Sequence, residues 1–306
     1  MTPFRLGLVG AGRMGRVHMR ALSDSAIVRV VAVGDPSAAS RAELYGAGAA
    51  IHADVAAMLD AGGLDGVLVA APSTLHLALV EQLAAAGVAI LCEKPCGVTA
   101  DQARAAAAVA ARCNVKLQVA YWRRFVPALQ RLRQRIAEGA LGELYFLACH
   151  QWDGEPPAAQ FRAGSGGIFI DMGVHEFDQL RWFSGQDIAG LHPAVASVSA
   201  DPPVAGDAES AQVLCTLSGG STALVALGRR FPLGDVCRVE VFGTRDAADV
   251  RFLWPPGGEQ VFLQALRLQA EGFAAWVRGG APAGASAQDA VAALAAAERA
   301  SVVLVR

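Results

Sequence analysis

A glycine turn near the start of the chain restricts its fold more than any other feature. Residues 6–9 form a short apolar run, and Gly10, Gly12 and Gly15 follow it in a Gly-x-Gly-x-x-Gly pattern. A helical stretch then continues to about Leu22. Glycines at this spacing let a strand turn tightly into a helix and let the backbone approach a pyrophosphate at the helix N-terminus. The pattern predicts the first strand, turn and helix of a dinucleotide-binding sheet.

Asp35 indicates which dinucleotide such a turn binds. It closely follows a second apolar run, residues 28–33, and lies 20 residues after Gly15 (35 − 15 = 20). A carboxylate at this distance accepts hydrogen bonds from the adenosine ribose and repels a 2′-phosphate, so the sequence favours NAD over NADP as cofactor. Two alternatives stay open. Asp35 is merely a turn residue before Pro36, or Arg41 supplies a positive charge for the phosphate of NADP.

Predicted strands and helices continue to alternate as far as residue 120. Short apolar runs typical of buried strands are residues 64–70, 88–92 and 115–120. Two of them end in polar loops, residues 71–74 with His76 just beyond, and residues 93–95. The alternation predicts a doubly wound parallel sheet, in which ligands bind at the carboxyl ends of the strands. We therefore expect an α/β, N-terminal Rossmann domain over residues 1–122.

Lys94 is the candidate reactive residue of this half. It follows the predicted strand at residues 88–92 and precedes Pro95. A lysine held in this way at a strand end projects its ammonium group into the ligand cleft. The alternative is a surface lysine that pairs with Glu93, and position alone does not decide between the two.

From about residue 143 the pattern changes to consecutive strands. The predicted strands are residues 143–152, 194–200, 211–217, 222–227, 236–242 and 247–253. Turn signals at residues 218–220 and 255–258 lie between or after them, and short connections favour antiparallel pairing. Helices are predicted at residues 262–277 and 288–305. We expect a C-terminal α+β domain over residues 123–306 with a largely antiparallel open sheet.

Three polar side chains recur at helical spacing within residues 164–178. Asp171, His175 and Asp178 are separated by four and three positions, so in an α-helix all three lie on one face. A carboxylate beside an imidazole on a rigid face works as an oriented proton acceptor. The alternative is a structural pair, in which a buried histidine is bonded to an aspartate. Spacing alone favours that alternative.

Composition argues against several classes of partner. The formal net charge is −2 and 18% of residues are charged, so no nucleic-acid surface is expected. No apolar run approaches the roughly 18 residues that span a membrane, and no secretory signal is recognisable, so we expect a cytoplasmic protein. The six cysteines form no Cys-x-x-Cys pair and no Cys/His ligand spacing, so no metal is expected.

Several of these motifs occur together, in one order, in a known family. They are residues 10–15, residues 71–73 with His76, residues 93–95, Arg124 with Phe125, and residues 166–171 with His175 and Asp178. In this combination the chain resembles the glucose-fructose oxidoreductase / inositol dehydrogenase / MocA family over essentially its whole length. Residues 152–185 look most like bacterial myo-inositol 2-dehydrogenases. Ala71 departs from the family, which usually has Thr at this position.

The resemblance implies an NAD-dependent oxidoreductase that oxidises a secondary hydroxyl of a cyclitol or sugar to a ketone, and that forms a homodimer or homotetramer. It assigns Lys94, Asp171 and His175 to catalysis, with Asp153 and Arg124 as contacts to polyol or cofactor. The expected substrate-binding residues are Lys94, Asp153, Asp171 and His175. The expected cofactor-binding residues are Gly10, Gly12, Arg13, Met14, Gly15, Asp35, Pro72, Ser73, His76, Glu93, Lys94 and Arg124.

The hypothesis for the reaction divides the work among three side chains. His175 takes the hydroxyl proton, Asp171 orients the imidazole, and Lys94 stabilises the developing alkoxide. Two alternatives remain at this stage. One is a dehydrogenase of another sugar or sugar acid in the same family, and the other is a non-catalytic NAD-binding sensor on the same fold.

Overall fold

The structure is a computed structural model that describes residues 2–44, 46, 48–196 and 204–305. In the first half of the chain the strands and helices are β1 Phe4–Val9, α1 Arg13–Leu22, β2 Val28–Gly34, α2 Ala38–Ala42, β3 Ala50–His52, α3 Val55–Ala61, β4 Gly66–Val69, α4 His76–Ala85, β5 Ala89–Cys92, α5 Ala100–Arg112, β6 Leu117–Val119 and α6 Pro127–Ala137. In the second half they are β7 Leu144–Trp152, α7 Ala159–Gly164, α8 Val174–Ser184, β8 Ile188–Ala196, β9 Ser210–Leu217, β10 Thr222–Gly228, β11 Val236–Gly243, β12 Ala247–Leu253, α9 Gly258–Val277, β13 Ala285–Ser286 and α10 Ala287–Ser301.

The chain divides into two compact units. Unit one is Met1–Gly97, Asp101–Phe125 and Leu263–Ala290, and unit two is Val98–Ala100, Val126–Phe262 and Val291–Arg306. The boundary that we predicted between residues 122 and 123 differs from these units, because it assigned all of residues 123–306 to the second domain. Leu263–Ala290 belongs to unit one because β13 pairs with β6 and because Phe273 of α9 packs edge-on against Phe4 of β1.

Unit one contains a seven-stranded sheet in the order β13-β6-β5-β4-β1-β2-β3. All neighbouring strands are parallel except β13, which is antiparallel to β6. Strands of a sheet covered on both faces are apolar throughout, and Phe4, Leu6 and Leu8 of β1 are fully buried. The prediction of a doubly wound Rossmann sheet is confirmed. Its switch in strand order, between β1 and β4, lies beside the glycine turn.

Unit two contains a six-stranded sheet in the order β12-β11-β7-β10-β9-β8. Every neighbouring pair is antiparallel except β7 and β10, which run in the same direction. In β9, buried Ala211, Val213 and Cys215 alternate with side chains on the other face, and α8 packs against β7 and β10. The predicted largely antiparallel sheet is confirmed. The strand predicted at residues 194–200 was wrong in its start, because β8 begins at Ile188, and residues 197–203 lie outside the described residues.

The segment around Asp171 differs from the single α-helix that its spacing predicted. Gly166 and Gly167 both have left-handed φ values, +83° and +86°, which favour glycine. A π-helical turn, Phe169–Gly173, follows and leads into α8. A π turn is wider than an α turn, so the spacing of four and three does not by itself place Asp171 on the face that His175 and Asp178 share on α8. The neighbourhood of Asp171 and His175 stays a prediction.

No helix among the residues that the structure describes combines the length and the apolar character needed to cross a membrane.

Candidate active site

The glycine turn of unit one has the shape that a dinucleotide needs. Gly10 has φ +98°, and a Cβ on it would lie 2.7 Å from the carbonyl oxygen of Ala70. A Cβ on Gly15 would collide with the carbonyl oxygen of Gly10. These two glycines are therefore required by the turn itself.

Gly12 is different, because a Cβ there would meet no atom of the described residues within 4 Å, apart from its chain neighbours and its own helix. It is the N-cap of α1, and no side chain caps the amides of that helix start. Arg13 beside it is exposed, and Met14 is half-buried. The turn therefore leaves open space in front of uncapped helix amides, which is where a pyrophosphate binds.

Asp35 lies at the carboxyl end of β2, next to this space. Its Oδ2 accepts a hydrogen bond from the Ala11 amide and its Oδ1 accepts one from the Ser37 amide, both at 2.7 Å. Each carboxylate oxygen has a second acceptor site, so ribose hydroxyls are still accommodated. Arg41 donates to the main-chain oxygen of Asp35 at 2.7 Å. The residues present fit NAD, which would bring its adenosine ribose to Asp35.

His76 connects the loops that follow β4 and β5. Its two ring nitrogens lie 2.7 Å from the carbonyl oxygen of Pro95 and 2.8 Å from that of Ala71. The side chain is buried, whereas Pro72 is exposed and Ser73 is half-buried. Both nitrogens of His76 are thus directed at the backbone. A contact between His76 and the cofactor stays a prediction. The two observed contacts with the backbone support a role for His76 in holding the two loops.

Glu93 and His18 form a buried pair that sequence reasoning missed. The imidazole Nε2 of His18 lies 2.7 Å from Oε1 of Glu93, and Oε2 of Glu93 accepts a bond from the Lys94 amide. Burial raises the pKa of Glu93, but His18 and Lys94 more than offset this effect and the pKa is lowered. A charged Glu93 therefore ties α1 to the start of the Lys94 loop. The sequence contained one signal for this pair, which was that His18 follows the glycine turn by less than one helical turn.

Lys94 and Arg124 are the remaining candidates in unit one. Lys94 is half-buried directly after β5, close enough to Glu93 to favour the ionised carboxylate. Arg124 is buried, and its Nη1 lies 3.3 Å from Oδ2 of Asp289. The predicted cofactor contacts of these two residues stay predictions.

In unit two, a buried ion network surrounds Arg229, which immediately follows β10. Its Nη1 donates to Oδ2 of Asp171 at 2.7 Å, and its Nη2 donates to Oδ1 of Asp207 at 3.2 Å. Asp153, just beyond the parallel strand β7, lies 3.7 Å from the same Nη1. Arg162 donates to Asp207 at 2.6 Å. We call these five side chains the Arg229 network.

Sequence reasoning found Asp153 and Asp171 but missed the other members of the Arg229 network. Asp153 lies near the Arg229 guanidinium because β7 and β10 are parallel and finish at the same end of the sheet. Asp171 reaches the same guanidinium from the π turn before α8. The only sequence signal for Arg229 was its position directly after an apolar strand.

The pKa of Asp153 is the most informative electrostatic property of the Arg229 network. Burial raises the pKa of its carboxyl to about 6, although Arg229 and a hydrogen bond from Gln151 oppose the rise. The carboxylates of Asp171 and Asp235 add to it. Asp153 therefore exchanges its proton close to neutral pH.

His175 and Asp178 lie on the buried part of α8, with 5% and 1% of their surfaces exposed. Asp171 keeps 15% of its side chain exposed. The structure describes Lys94 in unit one and Asp171 with His175 in unit two, so their joint catalytic role stays a prediction. Asp178 offers almost no surface to a substrate, which favours a structural role in the helix.

Unit one has a parallel sheet with a dinucleotide cradle at its switch point. Unit two of the same chain carries a partly exposed carboxylate cluster. These two features define a nucleotide-dependent oxidoreductase. Residues 4–121 match the oxidoreductase family with an NAD-binding Rossmann fold, and residues 129–249 match the GFO/IDH/MocA C-terminal domain. The chain belongs to the GFO/IDH/MocA family.

Relatives and solved structures agree with this assignment. The chain is 56% identical to the rhizopine catabolism protein MocA of Rhizobium meliloti, covering 100% of this chain and 96% of the relative. It is 33% identical to an inositol 2-dehydrogenase of Rhizobium meliloti strain 1021, covering 97% and 95%. The crystal structure of a putative myo-inositol dehydrogenase from Sinorhizobium meliloti 1021 matches with a TM-score of 0.91 at 32% identity, covering 98% of both chains. The predictions of the family, of NAD as cofactor and of an NAD-dependent dehydrogenase are confirmed.

Proposed function

We propose that this protein oxidises a secondary hydroxyl of a cyclitol to a ketone, with NAD as acceptor, in the manner of an inositol 2-dehydrogenase. The observation that carries the proposal is the 33% identity to such an enzyme over 97% of the chain. Bound NAD supplies the acceptor for the hydride. The chain itself must bind the polyol and remove the hydroxyl proton as the hydride leaves.

The proposed roles of the side chains follow from their chemistry and surroundings. His175 takes the proton and Asp171 orients and charges the imidazole, while Lys94 stabilises the developing alkoxide. Asp153 contacts the polyol. Support for the acidic pair is that Asp153 and Asp171 keep 20% and 15% of their side chains exposed, whereas Arg229 beneath them is fully buried.

The proposed preference for NAD over NADP depends on Asp35. Its carboxylate already faces the glycine turn through the Ala11 amide. A 2′-phosphate brought to the same place would meet a negative charge in a poorly solvated position.

We also propose a homodimer or homotetramer that assembles through the sheet of unit two. One face of this sheet packs on α8, and the other carries a contact between the rings of Phe146 and Phe242 at 5.7 Å and the exposed Leu214. Apolar side chains exposed on a sheet face mark an interaction surface. The cytoplasmic location and the absence of nucleic-acid and membrane partners stay predictions.

A substrate panel tests the proposed function. Purified protein with NAD is supplied with myo-inositol, scyllo-inositol, other cyclitols and several aldoses, and NADH formation is followed at steady state. We expect a higher kcat/KM for a cyclitol than for any aldose. Preferential oxidation of an aldose would replace the cyclitol by a sugar as substrate. Binding of NAD without turnover of any compound would favour a non-catalytic sensor.

A further inference from the structure

The Arg229 network has a closed end and a partly exposed end. At the closed end, Asp207 is fully buried and accepts bonds from both Arg162 and Arg229. At the other end, Arg229 reaches Asp171 and Asp153, whose side chains keep some exposure. The closed end fixes the guanidinium, and only the other end offers carboxylates to a polyol.

Arg229 is held at its main chain and at its two terminal nitrogens. Its main-chain nitrogen donates to the carbonyl oxygen of Glu209 at 2.7 Å, directly after β10. Its two terminal nitrogens then serve two different carboxylates, Asp171 and Asp207. A guanidinium suits this task because its donors diverge in a rigid plane, whereas an ammonium is a point charge on a flexible stem.

Asp171 needs such a partner because of its local backbone. It lies in the π turn before α8, and its amide bonds to the carbonyl oxygen of Gly167 at 2.9 Å. Because a π turn does not keep the α-helical spacing, the position of Asp171 in the sequence does not by itself set the direction of its carboxylate. The bond from Nη1 of Arg229 at 2.7 Å sets the position of Oδ2.

We propose that Arg229 is a positioning residue that orients the carboxylates of Asp171 and Asp153 for proton transfer and polyol binding. This role rests on the proposed function. It adds a residue that the sequence motifs did not contain, and it explains why a guanidinium is buried under two partly exposed acids.

The charge balance of the network supports the assignment. Three carboxylates (Asp153, Asp171, Asp207) face two guanidinium groups (Arg162, Arg229), so full ionisation leaves one negative charge in excess. Asp235 and Gln151 also face Asp153, the first as a further acid and the second as a hydrogen-bond donor. Burial raises the pKa of Asp153 to about 6, and the positive charge of Arg229 opposes this rise.

The test compares Arg229 with Arg162, which holds the same Asp207 but lies at the closed end. The variants are Arg229→Lys, Arg229→Met, Arg162→Lys and Arg162→Met, assayed with NAD and the best cyclitol of the panel. We expect both Arg229 variants to lose up to about 100-fold in kcat, because a misplacement of about 1 Å in an active group can cost that much. NAD affinity should be unchanged, and both Arg162 variants should lose less kcat than the Arg229 variants, because Arg162 acts on Asp171 and Asp153 only through Asp207 and Arg229.

A second readout needs no substrate. The Asp153 carboxyl is followed by carbon-13 NMR against pH and assigned by its loss in Asp153→Asn. It should titrate near pH 6 in the wild type and in Arg229→Lys, and at higher pH in Arg229→Met, because the opposing positive charge is gone. The titration also reports on folded protein if Arg229→Met is too unstable for kinetics.

The outcomes separate this inference from the proposed function. An active wild type whose Arg229 and Arg162 variants lose equal activity would make Arg229 a structural residue only. An Asp153 titration unmoved in Arg229→Met would also overturn the inference. A wild type without activity on any cyclitol would overturn the proposed function itself.

Discussion

The glycine turn of unit one and the Arg229 network of unit two are built from different materials. The turn is almost entirely backbone. Gly10 and Gly15 are required because a Cβ would strike a carbonyl oxygen, and Gly12 leaves open space. The Arg229 network is made of charged side chains, two of which, Arg229 and Asp171, are 58 residues apart in the chain. A site made of backbone atoms is determined by residues that are close in the sequence. A site made of side chains depends on which strands become parallel neighbours in the sheet.

The two regions should also respond differently to substitution. Changes in the turn should alter cofactor binding, and changes in the carboxylate region should alter turnover or the pH dependence of stability.

Replacement of Lys94 by Ala should lower kcat by at least about 10³-fold, because the developing alkoxide loses its positive partner. NAD binding should persist, since the glycine turn and Asp35 are untouched. Steady-state kinetics and cofactor titration by fluorescence measure the two quantities. The control is Lys116→Ala, on a lysine whose ammonium lies over the ring of Trp276. A Lys94→Ala variant with near wild-type kcat would remove Lys94 from the mechanism.

Replacement of Asp153 by Asn should change how stability depends on pH. The pKa of Asp153 in the folded protein is about 6, above its unfolded value, so ionisation of this carboxyl opposes folding. As the pH rises from 4 to 7 the wild type should lose about 2 kcal/mol relative to Asp153→Asn. Denaturant unfolding of both proteins at several pH values measures the difference. Parallel stability curves would show that Asp153 titrates normally.

Replacement of Gly12 by Ala separates the fold of the turn from its use. In the part of the chain that the structure describes, no atom outside the helix and the chain neighbours of Gly12 lies within 4 Å of the added methyl group. The free energy of unfolding should therefore fall by less than about 1 kcal/mol. The Kd for NAD should rise by about tenfold or more, because the methyl group occupies the space of the pyrophosphate. Gly15→Ala is the matched comparison and should lose stability and binding together. Unchanged NAD affinity in Gly12→Ala would place the pyrophosphate elsewhere.

Replacement of Asp35 by Ser should reduce the preference for NAD over NADP, by about tenfold in the ratio of kcat/KM values. The expected change comes mainly from better use of NADP. Arg41→Ala is the companion variant, since Arg41 donates to the main-chain oxygen of Asp35. A wild type that already prefers NADP would contradict the role given to Asp35.

The contrast between the regions also explains what the sequence could predict. The turn, Asp35 and the alternation of strands and helices were readable because each depends on neighbouring residues and on regular spacing. The link between Glu93 and His18 and the role of Arg229 were not readable, because they depend on contacts between distant segments. The predicted shared face of Asp171, His175 and Asp178 was based on an uninterrupted α-helix, and one π turn interrupts that spacing at Asp171. Local periodicity predicts well where helices and strands lie, but it does not reveal a single residue inserted into a helix.

Transfer of a labelled hydride tests the central claim most directly. The protein is incubated with NAD and with myo-inositol or scyllo-inositol that carries deuterium on every ring carbon, and the reduced cofactor is isolated and examined by NMR. The account predicts deuterium at C4 of the nicotinamide, together with one molecule of ketone for each NADH formed. Recovery of unreduced, unlabelled NAD from folded protein that binds the cofactor would contradict it.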